Sequence, residues 1–123
     1  MKYLILIYGN PESRAIWDSF TDAQKAAGFA YYAGLADELA ASGELIVTEA
    51  LADAAQTKRV TANEEQTVTT DGPFAEAKEQ LAGFFLLECD GMERAVAVAA
   101  RMPEAQFGLI EVRPVLELGG TEM

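Results

Sequence analysis

The 123-residue sequence has no histidine and a single cysteine, Cys89. Without histidine there is no Ser-His-Asp or Cys-His machinery, and the commonest zinc ligand is missing. A transition-metal site is therefore not expected, although carboxylates alone can hold a hard cation. One cysteine excludes an intrachain disulfide and fits a reducing compartment. Cys89 ends an apolar segment beside Asp90 and reads as a small hydrophobe, because thiolate chemistry needs a base or cation nearby. Basic residues are scarce: 9 Lys and Arg against 20 Asp and Glu give a formal net charge of −11. Phosphate backbones are bound by clustered Lys and Arg, so neither nucleic acid nor an anionic membrane surface is expected as a partner. No segment reaches transmembrane length, and the apolar run from Tyr3 to Tyr8 is too short for a signal-peptide core. The expectation is a cytoplasmic protein with no cofactor.

Hydrophobic residues, by contrast, make up 50% of the chain. That suffices for one core, and the length fits one domain, expected over residues 1–118 with a loose tail at 119–123. Residues 2–8 (KYLILIY) predict a strand stopped by Gly9-Asn10-Pro11. Thr21 with Gln24 forms a capping box that opens a long helix. Ala27, Tyr31, Leu35 and Leu39 make its inward stripe, and Gly43 ends it. Residues 12–20 hold a short extra turn of helix. Residues 44–51 predict a second strand, and 58–62 with 66–70 a polar hairpin broken by Asp71-Gly72-Pro73. Residues 81–88 (LAGFFLLE) predict a third main strand. Asp90, with Glu93 three later, caps a second helix through Arg101, with Met92, Ala95, Val96 and Ala99 inward. Residues 108–116 predict the last strand, and residues 74–80 fit either helix or strand.

The order β-α-β, hairpin, β-α-β describes an α+β fold of the ferredoxin-like, split β-α-β kind, with both helices on one face of a mainly antiparallel sheet. Two helices cover only one face, yet the strands at 2–8 and 81–88 are apolar on both. The second face needs a cover, and the economical one is the same face of a second copy. A homodimer packed sheet on sheet is therefore expected.

Two places stand out as carriers of chemistry. In the last strand Ile110 and Val112 point one way, and Glu111 and Arg113 the other. If the first two face the helices, the charged pair lies on the dimer side. There it is either a solvated ion pair or a polar wall whose Arg113 holds a carboxylate. Asp71-Gly72-Pro73-Phe74 is either a rigid turn or a device that aims the Asp71 carboxylate into a cleft. Beside a buried Phe74, that carboxylate could act as general acid or base. Lys78, in the charge-alternating run Glu76, Lys78, Glu79, could neutralise an anionic or oxygen-rich ligand near Asp71. Trp17, Tyr31 and Tyr32 read as core or interface aromatics. Tyr8, which ends the central strand beside Gly9, is the aromatic best placed for a ligand.

Thr70-Asp71-Gly72-Pro73-Phe74-Ala75-Glu76, then Lys78-Glu79-Gln80-Leu81 and Gly83-Phe84, resembles the DGPF signature of the YCII-related proteins. The opening KYLILIYG and the closing Glu111-Val112-Arg113-Pro114-Val115 match the same pattern, so the resemblance covers nearly the whole chain. It implies a dimeric α+β barrel with a site in a cleft near the acid that corresponds to Asp71. It also implies small lyase- or dehydrohalogenase-like activity, in which that acid is paired with a histidine; here the histidine half has no counterpart. The resemblance further implies, as an alternative, a non-catalytic regulatory or accessory protein associated with an extracytoplasmic-function sigma factor.

Overall fold

The strand β1 (Lys2–Gly9) runs through the middle of the molecule, flanked by β5 (Gln80–Glu88) on one side and β6 (Ile110–Pro114) on the other. The computed structural model describes residues 1–74, 78–118 and 120. With β2 (Leu45–Ala50) beyond β5, the main sheet has the order β2-β5-β1-β6, and every pairing is antiparallel. β3 (Lys58–Ala62) and β4 (Thr67–Asp71) form a separate two-stranded hairpin between β2 and β5. This is the ferredoxin-like α+β arrangement that the order of elements predicts.

Strand alternation sorts the side chains. Tyr3, Ile5 and Ile7 of β1 are buried with Phe85 and Leu87 of β5, against Leu35, Leu39, Ala95 and Val98 from the helices. Ile110 and Val112 pack on the same core. The opposite face carries Leu4, Leu6 and Tyr8 of β1, Phe84 and Leu86 of β5, Val47 of β2, and Glu111 and Arg113 of β6, as the cross-strand register requires. Among the described residues no helix covers this face. At Gly83 a Cβ would stand 2.8 Å from the Glu49 carbonyl oxygen of β2, so no larger residue fits without moving the backbone.

α1 (Pro11–Asp18) is longer than the single turn expected of residues 12–20. Asn10 caps it through Ser13, each side chain satisfying the other's backbone N–H. Thr21 and Gln24 make the expected reciprocal cap for α2 (Asp22–Ala41), and Gly43 follows it at φ 82°. The inward stripe of α2, however, holds only at Leu35 and Leu39; Ala27 and Tyr31 are exposed. The second half of α2 lies on the sheet, while its first half overhangs it with α1.

α3 (Met92–Ala99) departs from the expectation at both its cap and its face. Gly91 occupies the cap with no side-chain bond, so Asp90 does not cap this helix. Ala95, Val98 and Ala99 are buried, whereas Met92 and Val96 are exposed. The inward face is thus set by small side chains that let the helix approach the sheet closely. Asp71 closes β4 by pairing with Lys58, and Gly72 (φ 87°) supplies the turn that follows. The part of the ambiguous 74–80 stretch at residues 75–77, and the tail residues 119 and 121–123, lie outside the described residues.

Candidate functional site

Where α1 and the first half of α2 overhang the sheet, they border an open cavity of about 720 Å³. Its floor is residues 7–9 of β1, residues 48–50 of β2, and Ala82, Gly83 and Phe85 of β5. Trp17 and Phe20 contribute to its roof from α1 and the turn after it, and Phe29 and Tyr32 from α2. The far wall is the 3-10 segment Pro103–Phe107.

The aromatic groups of the roof hold one another. Trp17 meets Phe29 edge-on at 5.3 Å between centroids and Phe20 at 5.8 Å. Such pairs add to the stability of otherwise exposed rings. The Lys25 ammonium stands 6.0 Å from the Trp17 ring, and the Arg14 side chain also borders the cavity. Phe29 is 66% exposed, so the apolar lining runs out to the solvent at the mouth.

Tyr32 and Glu104 supply the polar anchor. The Tyr32 hydroxyl donates to Glu104 Oε1 at 2.5 Å, joining α2 to the 3-10 segment across 72 residues of sequence. Burial, and then the hydrogen bond to Glu104, push the Tyr32 hydroxyl pKa far above the phenol range, so Tyr32 remains a donor at all ordinary pH. A neighbouring bond from the Tyr31 hydroxyl to the Arg101 carbonyl and an ion pair between Arg101 and Glu38 fix the same junction.

The residues expected to form the site fall into two groups. Tyr8, Glu111 and Arg113 lie together on the uncovered face of the sheet. The Tyr8 hydroxyl pKa is raised, chiefly by burial and then by its hydrogen bond to Glu111, with Arg113 pulling weakly the other way. Among the described residues Glu111 forms no ion pair with Arg113. Asp71 lies instead at the root of the β3–β4 hairpin, exposed and ion-paired with Lys58. Phe74, expected to be buried beside it, is 70% exposed, and its ring is covered by the Arg59 guanidinium at 5.8 Å. That stacking draws Phe74 onto the hairpin and leaves Asp71 without an apolar wall. Lys78 is exposed, and the cation that meets Asp71 is Lys58. Glu76 lies outside the described residues.

Among the described residues no helix is long and apolar enough to cross a membrane, and no three Cys, Asp or Glu side chains converge to hold a metal ion. A family model for the YCII-related domain matches residues 1–119. The chain belongs to the YCII-related family. An uncharacterized protein of Rhizobium meliloti (strain 1021) is 45% identical over 64 residues, half of this chain and half of that protein. The YCII-related chain thus spans about half the length of the curated relative it matches.

Three residues that line the cavity of this YCII-related domain escaped sequence reasoning as a site. Trp17 and Tyr32 read as ordinary core or interface aromatics, and Glu104 stands in no motif of the sequence. A partial signal existed: α2 carries more aromatic residues in its first half than its inward stripe can bury. Nothing in the sequence paired Tyr32 with Glu104.

Proposed function

We propose that this YCII-related chain binds a small, mostly apolar molecule in the cavity between its sheet and helices, and that it does so as a homodimer. The observation that carries the reading is the cavity itself. A volume of about 720 Å³ lies within the size of small-molecule sites, and the combination of aromatic walls with one convergent polar pair is how such sites are built.

The homodimer reading is supported by the uncovered sheet face. Leu4, Leu6, Phe84 and Leu86 form a continuous apolar patch there, bordered by Lys2 and Glu88 at one end and by Glu111 and Arg113 along one edge. A border with both charge signs lets a second copy, turned about a twofold axis, set positive groups against negative ones, which fits a second copy of this chain.

The ligand test is a thermal melt of the protein with a panel of two-ring aromatic compounds, run beside Ala33→Phe. Ala33 lines the cavity from an exposed position on α2, so the larger ring fills space without disturbing the core. Ligands that bind only the folded state raise the melting temperature by mass action. The reading predicts stabilisation of the natural chain and its loss in the variant. Equal stabilisation of both, or of neither, contradicts it.

A further inference from the structure

The polar anchor of the cavity has an unused half. Tyr32 occupies Oε1 of Glu104, and among the described residues no other hydrogen bond reaches the Glu104 side chain. Glu104 lines the mainly apolar cavity, which leaves Oε2 as the acceptor that Tyr32 does not use. A carboxylate accepts hydrogen bonds and repels other anions, and its charge makes such bonds stronger than neutral ones. At the mouth, Arg14 borders the opening and the Lys25 ammonium already sits by Trp17. Arg14, the cation that lines the cavity, disfavours a cationic guest. Aromatic walls select a ring, the carboxylate selects a donor, and the flanking charges select neutrality.

We infer that the cavity takes a neutral aromatic alcohol of the phenol type, whose hydroxyl donates to Glu104 Oε2 while its ring stacks among Trp17, Phe29, Tyr32 and Phe85. The inference rests on the cavity being a ligand site and adds the chemical class of the ligand. Glu104 is the specificity-determining residue, and Tyr32 positions its carboxylate by holding the other oxygen.

The test is calorimetric titration with four compounds of one ring system: 2-naphthol, 2-methoxynaphthalene, 2-naphthoate and 2-(aminomethyl)naphthalene. Naphthol is expected to bind about tenfold tighter than the methyl ether, which lacks the donor and leaves Oε2 desolvated without a partner. Naphthoate is expected to bind more weakly still. In Glu104→Gln the advantage of naphthol over the ether shrinks to about threefold or less, and naphthoate gains affinity, because the repelling charge is gone. Tyr32→Phe keeps the carboxylate and therefore keeps the order of the four ligands, even though it loses stability. A purely structural link between α2 and the 3-10 segment would lower melting temperatures in both variants without altering that order. If Glu104→Gln does not fold, the ligand order in the natural chain and in Tyr32→Phe decides the matter. Equal binding of naphthol and its ether overturns the inference and leaves the cavity as a site. Tighter binding of the naphthoate or of the amine overturns it in favour of Arg14 or of a cation site. Absence of binding by all four overturns the cavity reading as well.

Discussion

The indole of Trp17 rests on Gly28, where a Cβ would come within 3.1 Å of the ring. α1 buries none of its residues, so this contact and the neighbouring Phe20 and Phe29 rings are what seat it over the cavity. Gly28→Val therefore displaces the indole rather than the core. Trp17 is the only tryptophan, so its emission reports the change directly. The expected result is a red-shifted emission, with cavity affinity lowered about tenfold and global stability changed by roughly 1 kcal/mol. An unshifted emission would show that α1 is seated by other contacts.

Glu44 and Arg94 give the clearest pH-dependent contribution to stability. Arg94 donates to both Glu44 oxygens, at 2.8 and 2.9 Å, and Ser42 adds a third bond at 2.7 Å. The Arg94 hydrogen bond, and then that of Ser42, hold the Glu44 carboxyl down to about 2, against an ordinary 4.5. A carboxyl depressed in the folded state stabilises the fold above its unfolded pKa, and that contribution fades as pH falls through the folded value. Arg94 is partly exposed, so solvent screening limits the effect to about 1 kcal/mol at neutral pH. Denaturant melts of Glu44→Gln should show that deficit at pH 7, narrowing to nothing as pH falls from about 4.5 to about 2. A deficit that is constant with pH would assign it to packing rather than charge.

The uncovered sheet face makes the homodimer proposal measurable. Leu6 sits mid-strand on β1 with its side chain on that face, directly opposite Phe84 and Glu111. Leu6→Lys places a charge in the centre of the proposed interface, where truncation or burial of a key group costs about 2 kcal/mol or more. Sedimentation should give twice the 13.2 kDa chain mass for the natural protein and about 30-fold weaker association for the variant. A natural chain that sediments at 13.2 kDa at high concentration would remove the homodimer from the account.

The fold was legible in this sequence because its main signals are local. β1 and β5 announce themselves as runs apolar on both faces, and Thr21 with Gln24 marks the start of α2 to the residue. The hairpin is equally plain from its Thr and Val content and the Asp71-Gly72 turn. Asp90 misled because a capping sequence is a local preference, and the chain reaches Gly91 in an extended conformation (φ 169°) that starts α3 one residue later. Met92 and Val96 misled because helical spacing fixes which residues share a face but not which face the sheet receives. The candidate site was the least legible part. Glu111 and Arg113 could be assigned to a face by alternation alone, whereas the Tyr32–Glu104 bond joins segments 72 positions apart and depends on how α2 crosses the sheet. Phe74 looked like a core residue by type; its partner proved to be the Arg59 guanidinium.

The measurement that tests the central claim most directly is a two-dimensional amide NMR titration of the isotopically labelled protein with 2-naphthol. If the cavity is the binding site, the resonances that move belong to Trp17 and Phe29 on the roof, to Tyr32 and Glu104 at the polar anchor, and to Gly83 on the floor. Those of Asp71 on the hairpin and Arg113 on the uncovered face stay in place. Shifts confined to Arg113 and its neighbours, or no saturable shifts at all, would contradict the account.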